Sequence, residues 1–194
     1  MEKNRLEAFS DGVLAIIITI MVLEMKVPHG SDLAALKPVL PVFLSYAVSF
    51  VYVGIYWNNH HHLLKAVRKV NGAMMWANLH LLFWLSLFPF VTGWAGENQF
   101  TTAPTVLYGA VLLLAAIAYT ILQNVIVAAE GCDSRLAASI GRNTKGKLSL
   151  TLYITGIAVS FILPWLAGCI YVFVALLWLI PDRRIERVVD ESAS

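Results

Sequence analysis

Arg5, Ser10 and Asp11 stand just ahead of the run Gly12-Val13-Leu14-Ala15-Ile16-Ile17-Ile18-Thr19-Ile20. Charge beside such a run has a cost. An aspartate at the centre of a spanning helix is disfavoured by about 2.5–3.5 kcal/mol, and by less toward an end. A polar partner for Asp11 is therefore expected. At about 100° per residue, Gly12, Thr19, Ile20 and Leu23 fall within about 60° of Ile16, whereas Asp11 lies about 140° away. Glu7 and Lys3 share the Asp11 side, and Arg5 falls on the Ile16 side. One face is thus an apolar stripe with a single hydroxyl, and the other a charged ladder. The stripe alone suits lipid contact or core packing, and Asp11 suits a structural anchor.

His60-His61-His62 invites a metal reading, but consecutive helix residues diverge by about 100° and cannot converge on one ion. They form a polar helix end, or one of them meets Ser10 or Asp11. The second option fits a stripe at spacings of three and four, made of Ser45, Ser49, Tyr52, Tyr56 and Asn59 or His60. Such a stripe faces protein and not lipid. Asn78 and His80 could join the same network. Val91-Thr92-Gly93-Trp94-Ala95-Gly96 looks superficially like a T-V-G-Y-G potassium filter, yet it ends a full-length span. H-E-x-x-H and G-x-S-x-G are absent, so no enzyme, cofactor or catalytic residue is expected. Cys132 and Cys169 have neither disulfide-framework nor zinc spacing.

The elements that hold these residues are set by composition. Apolar residues make up 59% of 194, charged residues 13%, and the mean hydropathy is +0.72. A soluble domain carries about 25% charged residues, so this chain is expected to be an all-α integral membrane protein. Spans of about 20 residues are predicted at 6–25, 38–64, 71–95, 102–129, 148–163 and 165–181. The last two come from splitting a long run at Pro164. The first resembles a signal peptide but is interrupted by Asp11 and lacks a cleavage site, so it is read as a retained helix. With six spans, one side receives Lys3, Arg5, Lys65, Arg68, Lys69, Arg135, Arg142, Lys145, Lys147, Arg183, Arg184 and Arg187. The other receives only Lys26 and Lys37. That asymmetry puts both termini in the cytoplasm. Residues 1–194 read as one transmembrane domain, with a solvated tail at 182–194 and no nucleic-acid partner.

Arg5, Phe9, Ser10 and Asp11 form an R-x-x-x-F-S-D string where a spanning helix normally avoids polar residues. This string resembles the signature of the lysosomal potassium channel family known as transmembrane protein 175. Tyr56-Trp57 before the histidines agrees, as does Asn78-Leu79-His80-Leu81-Leu82-Phe83 leading to Phe88-Pro89-Phe90. The chain is similar to the family's prokaryotic members, which have one six-helix repeat. The resemblance implies a homotetramer in the cytoplasmic membrane, with four first helices around a central potassium pathway and no re-entrant filter. Ile16, Thr19 and Leu23 would then face the axis. An isoleucine or leucine ring would close it by dewetting, and Thr19 hydroxyls would replace part of an ion's water shell. Arg5, Phe9, Ser10, Asp11, Trp57, His60 and Asn78 would form the supporting network. Arg5 falls on the pore side and needs neutralising by nearby acids or a cross-helix contact. The implied function is passive potassium conduction. The alternative is a secondary or proton-coupled transporter using Asp11 and a histidine, which inverted repeats or helices broken at midplane would favour.

Overall fold

A computed structural model describes residues 2–131 and 144–179. The expectations for Cys132, Arg135, Arg142, Arg183, Arg184, Arg187 and the tail at 182–194 lie outside these residues. The described chain is all helical. Its elements are α1 (Lys3–Leu23), a 3₁₀ stretch (Leu33–Val39), α2 (Leu40–Lys65), α3 (Gly72–Ser86), α4 (Phe88–Glu97), α5 (Thr102–Glu130), α6 (Thr144–Ser160) and α7 (Pro164–Leu179).

Proline and asparagine chemistry sets several boundaries. Pro38 lies in the 3₁₀ stretch, and a proline occupies the first turn of α2, where its missing N–H costs nothing. Asn71 caps α3 by accepting from the Met74 amide at 2.9 Å. The span predicted at 71–95 is divided at Leu87, two residues before Pro89, which brings no N–H to the Leu85 carbonyl. Leu87 N–H instead bonds the Trp84 carbonyl at 3.3 Å, a tighter i to i−3 turn. Three residues separate α6 from α7, and Pro164 opens α7.

Among the described residues, four stretches are long and apolar enough to cross a membrane: Lys3–Leu23, Leu33–Lys65, Gly72–Glu97 and Thr102–Glu130. Helices α6 and α7 have 17 and 16 residues. At about 1.5 Å per residue each spans roughly 24–26 Å, a little short of a hydrocarbon core of about 30 Å.

Tyrosines build much of the core. Tyr52–Tyr153, Tyr56–Tyr119, Tyr108–Tyr171 and Tyr153–Tyr171 pack with ring centroids 6.0–6.4 Å apart. Small residues admit them: Tyr171 lies in a notch between Gly109 of α5 and Gly156 of α6, where a Cβ at either glycine would overlap its ring or hydroxyl. Gly96 lets α4 approach the backbone of α2, since a Cβ there would stand 2.6 Å from Val42 Cα.

Candidate pore-lining helix and its polar anchors

Helix α1 is one-sided. Leu6, Ser10, Leu14, Ile17 and Met21, spaced by three and four, are at most 3% exposed. The opposite face has no partner among the described residues: Phe9 is 52% exposed, Ile16 57% and Leu23 79%. Gly12 and Thr19 are exposed on the same face. The Thr19 hydroxyl bonds its own helix, at 2.9 Å to the Ile16 carbonyl and 3.1 Å to that of Ala15. Its hydrogen is thereby used, which leaves the oxygen of this exposed residue free to accept. Arg5 is exposed on this side and has no ion pair among the described residues.

The buried face is held near its start by hydrogen bonds. Ser10 donates to the Leu6 carbonyl at 2.8 Å and accepts from Asn78 Nδ2 at 2.9 Å. Asn78 Oδ1 lies 2.7 Å from His60 Nε2. An amide oxygen only accepts, so His60 carries a proton on Nε2 and donates. Ser10 and Asn78 are fully buried and His60 is 2% exposed, so an apolar interior encloses a satisfied polar chain.

Asp11 has a different partner. Trp57 Nε1 donates to Asp11 Oδ1 at 3.0 Å, and the Trp57 ring stacks on His61 with centroids 6.2 Å apart. The structure therefore links a histidine to Ser10 only through Asn78, and none to Asp11. His61 meets the Trp57 ring and His62, not the carboxylate itself, and His80 accepts from Trp84 Nε1 at 2.9 Å on the surface. An indole N–H does not exchange protons with a carboxylate, so this geometry gives the transporter reading no relay from Asp11. Lys3 Nζ donates to the Lys65 carbonyl at 2.9 Å and lies 4.0 Å from Glu7. It fastens the start of α1 to the end of α2.

A second anchor, absent from the sequence expectations, holds the far end of α1. The Thr92 hydroxyl of α4 lies 3.9 Å from Met21 Sδ and 2.6 Å from Ser49 Oγ. Ser45 donates to the Thr92 carbonyl at 2.7 Å, and Ser49 is 2.8 Å from the Tyr108 hydroxyl. Beyond the helix, Lys26 Nζ meets Glu97 Oε1 at 2.6 Å. The spacing of Ser45 and Ser49 signalled a protein-facing stripe, but nothing in the sequence paired it with Thr92. The Val91–Gly96 string thus lies largely in a packed helix: Val91, Thr92, Gly93, Ala95 and Gly96 are buried. A cavity of about 40 Å³ lies among Tyr52, Tyr56, Tyr119, Tyr153 and Trp178. It holds no more than a few waters, and no residue of α1 lines it.

The family described as endosomal/lysosomal potassium channel TMEM175 matches residues 5–89. A potassium channel of Chryseobacterium sp. (strain P1-3) is 59% identical over 192 residues, covering 99% of this chain and 100% of that protein. The endosomal/lysosomal proton channel TMEM175 of Homo sapiens is 43% identical over 86 residues, covering 38% of this chain and 17% of that protein. The crystal structure of a lysosomal potassium-selective channel TMEM175 homolog from Chamaesiphon minutus superposes with a TM-score of 0.79 at 28% identity. It covers 93% of this chain and 98% of that one.

Proposed function

The chain belongs to the TMEM175 potassium channel family, and from that premise we propose a homotetramer in which four α1 helices surround a central potassium pathway. It is a potassium channel and not an enzyme. It lies in a membrane through several apolar helices, and we take that membrane to be the bacterial cell membrane. Six crossings per subunit, counting α6 and α7 as a short hairpin, bring Lys3, Arg5, Lys65, Arg68, Lys69, Lys145 and Lys147 to one side. That side is then the cytoplasmic one.

The observation that carries the pore assignment is the asymmetry of α1. The side with Leu6, Ser10, Leu14, Ile17 and Met21 is sealed against its own subunit, whereas Ile16, Thr19 and Leu23 are exposed. Around a fourfold axis, Ile16 forms the tightest ring. Its β-branch fixes χ1 and holds a narrow, poorly wetted constriction. Thr19, whose hydrogen is bonded back to the helix, presents four oxygens to a partly dehydrated cation. Phe9 and Arg5 line the cytoplasmic approach. Ser10, Asp11, Trp57, His60 and Asn78 fix the rotation of the helix without facing the ion.

Unitary currents from purified protein in planar bilayers test this reading. Ile16→Asn puts four amides at the constriction and lowers the cost of wetting. Open probability or conductance rises, and discrimination against sodium falls or stays low. Ile18→Asn, pointing about 160° away, harms packing or expression without raising current. Equal effects on current in correctly assembled protein remove α1 from the pore wall.

A further inference from the structure

The two ends of α1 rest on different helices. The inner half is held by α3 through Asn78 and Ser10, and the outer end by α4, through one contact inside the helix and two in the segment just beyond it. Met21 meets Thr92. Glu24 lies over Gly93, where an added Cβ would stand 3.6 Å from its Oε2. Lys26 pairs with Glu97. Between the two supports the α3–α4 ladder is interrupted at Leu87, because Pro89 supplies no N–H. Helix α4 has its own attachment to α2, through both polar groups of Thr92 and the close approach of Gly96 to Val42.

We propose that α4 positions the outer half of the conducting helix independently of the inner anchor, with Thr92 and the Lys26–Glu97 pair as positioning residues for the segment carrying Thr19, Ile20 and Leu23. This rests on the channel reading above. Thr92 touches the buried face of α1 and no ion, so it acts through Met21. A shift of α4 by a few tenths of an ångström turns or tilts the Thr19–Leu23 face while Ser10 stays bonded to Asn78. Such a shift changes how often the outer ring is open without disturbing the cytoplasmic half.

The exposed pair offers a test that folding does not confound, since Lys26 and Glu97 are 85% and 47% exposed. Lys26→Glu, Glu97→Lys and the double exchange are recorded beside the natural protein as single channels. Each single reversal is expected to change open probability by roughly two- to fivefold, the scale of an exposed ion pair. The double exchange should return it toward the starting value, with unitary conductance nearly constant. Thr92→Val, which keeps the shape and removes the hydroxyl that meets Met21 and Ser49, should likewise change open probability with unitary conductance nearly constant; an unchanged open probability counts against the proposal. Unchanged open probability in all three charge variants overturns the proposal. So does a double exchange that fails to restore it, which would mean that the charges act directly on ions at the mouth. If the natural protein itself gives no unitary potassium current, the channel reading falls and this inference with it. If it conducts and the variants match it, only this inference falls.

Discussion

Asn78→Leu tests the buried chain that fixes the rotation of α1. The side chain is fully buried and makes two hydrogen bonds, from Asn78 Nδ2 to Ser10 and from His60 Nε2 to Asn78 Oδ1. Leucine is similar in size, so cavity and overpacking effects are small. Ser10 loses little, because its own hydrogen stays on the Leu6 carbonyl. His60 loses its acceptor at a position 2% exposed. Two magnitudes compete. An interhelical hydrogen bond in a membrane is worth about 0.6 kcal/mol on average, whereas an orphaned buried donor costs about 1–3 kcal/mol. The orphan dominates, so Asn78→Leu should cost about 1–3 kcal/mol. At about 2–4 °C per kcal/mol for a chain of this size, melting in detergent drops by roughly 2–12 °C. His60→Phe alone orphans Asn78 Oδ1 and should cost a similar amount. The double variant removes both partners and should recover more than half of either loss, a coupling that a double-mutant cycle measures. Thermal melts and the tetramer fraction on size exclusion, read together, decide it. An unaffected Asn78→Leu, or a double variant as unstable as the sum of its singles, refutes the chain drawn here.

Three further outcomes follow from named contacts. Trp57→Phe removes the donor on Asp11 and should lower tetramer yield, with selectivity in the surviving channels unchanged; Asp11→Asn keeps an acceptor oxygen and should lower it less. Thr19→Val should reduce potassium conductance severalfold with normal assembly, because the hydroxyl bonds only carbonyls of its own helix; unchanged conductance would move the cation away from Thr19. The Lys26 amine is held above its ordinary 10.5, first by the hydrogen bond to Glu97 and then by the charge of Glu97. A raised folded-state value means that the pair is complete below 10.5 and is lost only as pH rises through the raised value. Open probability recorded from about pH 8 to pH 10 should therefore be flat in this respect, and a steep change across that window would deny the pair its role.

The one-sidedness of α1 was legible from spacing alone, because a 3.6-residue period places Ile16, Thr19 and Leu23 together whatever surrounds them. The split at Pro164 was legible for the same local reason. Pro89 carries the same information, but it sits inside a run of apolar residues long enough to read as one span. The partners were not legible. Which of His60, Asn78 and Trp57 meets Ser10 or Asp11 depends on how α2 and α3 rotate about their axes against α1, and no local period encodes that rotation. Thr92 was hidden differently. Its neighbours spell a filter-like string, while its use comes from Ser45 and Ser49, more than forty residues earlier.

The notch that holds Tyr171 has a consequence for how such a chain can change over generations. Alanine is the smallest step away from glycine, yet at Gly109 or Gly156 its Cβ would fall inside the space of the Tyr171 side chain. Such a step taken first meets a steric clash with no flexible neighbour to absorb it. Taken at Gly156 after Tyr171 has become leucine, it fills vacated volume, whereas at Gly109 it would still meet Ile157 Cγ1 at 2.9 Å. Gly156 and Tyr171 therefore accept substitutions in one order and reject them in the other. A library that varies them singly will score the glycine as intolerant, whereas one that varies them jointly will find the permitted route.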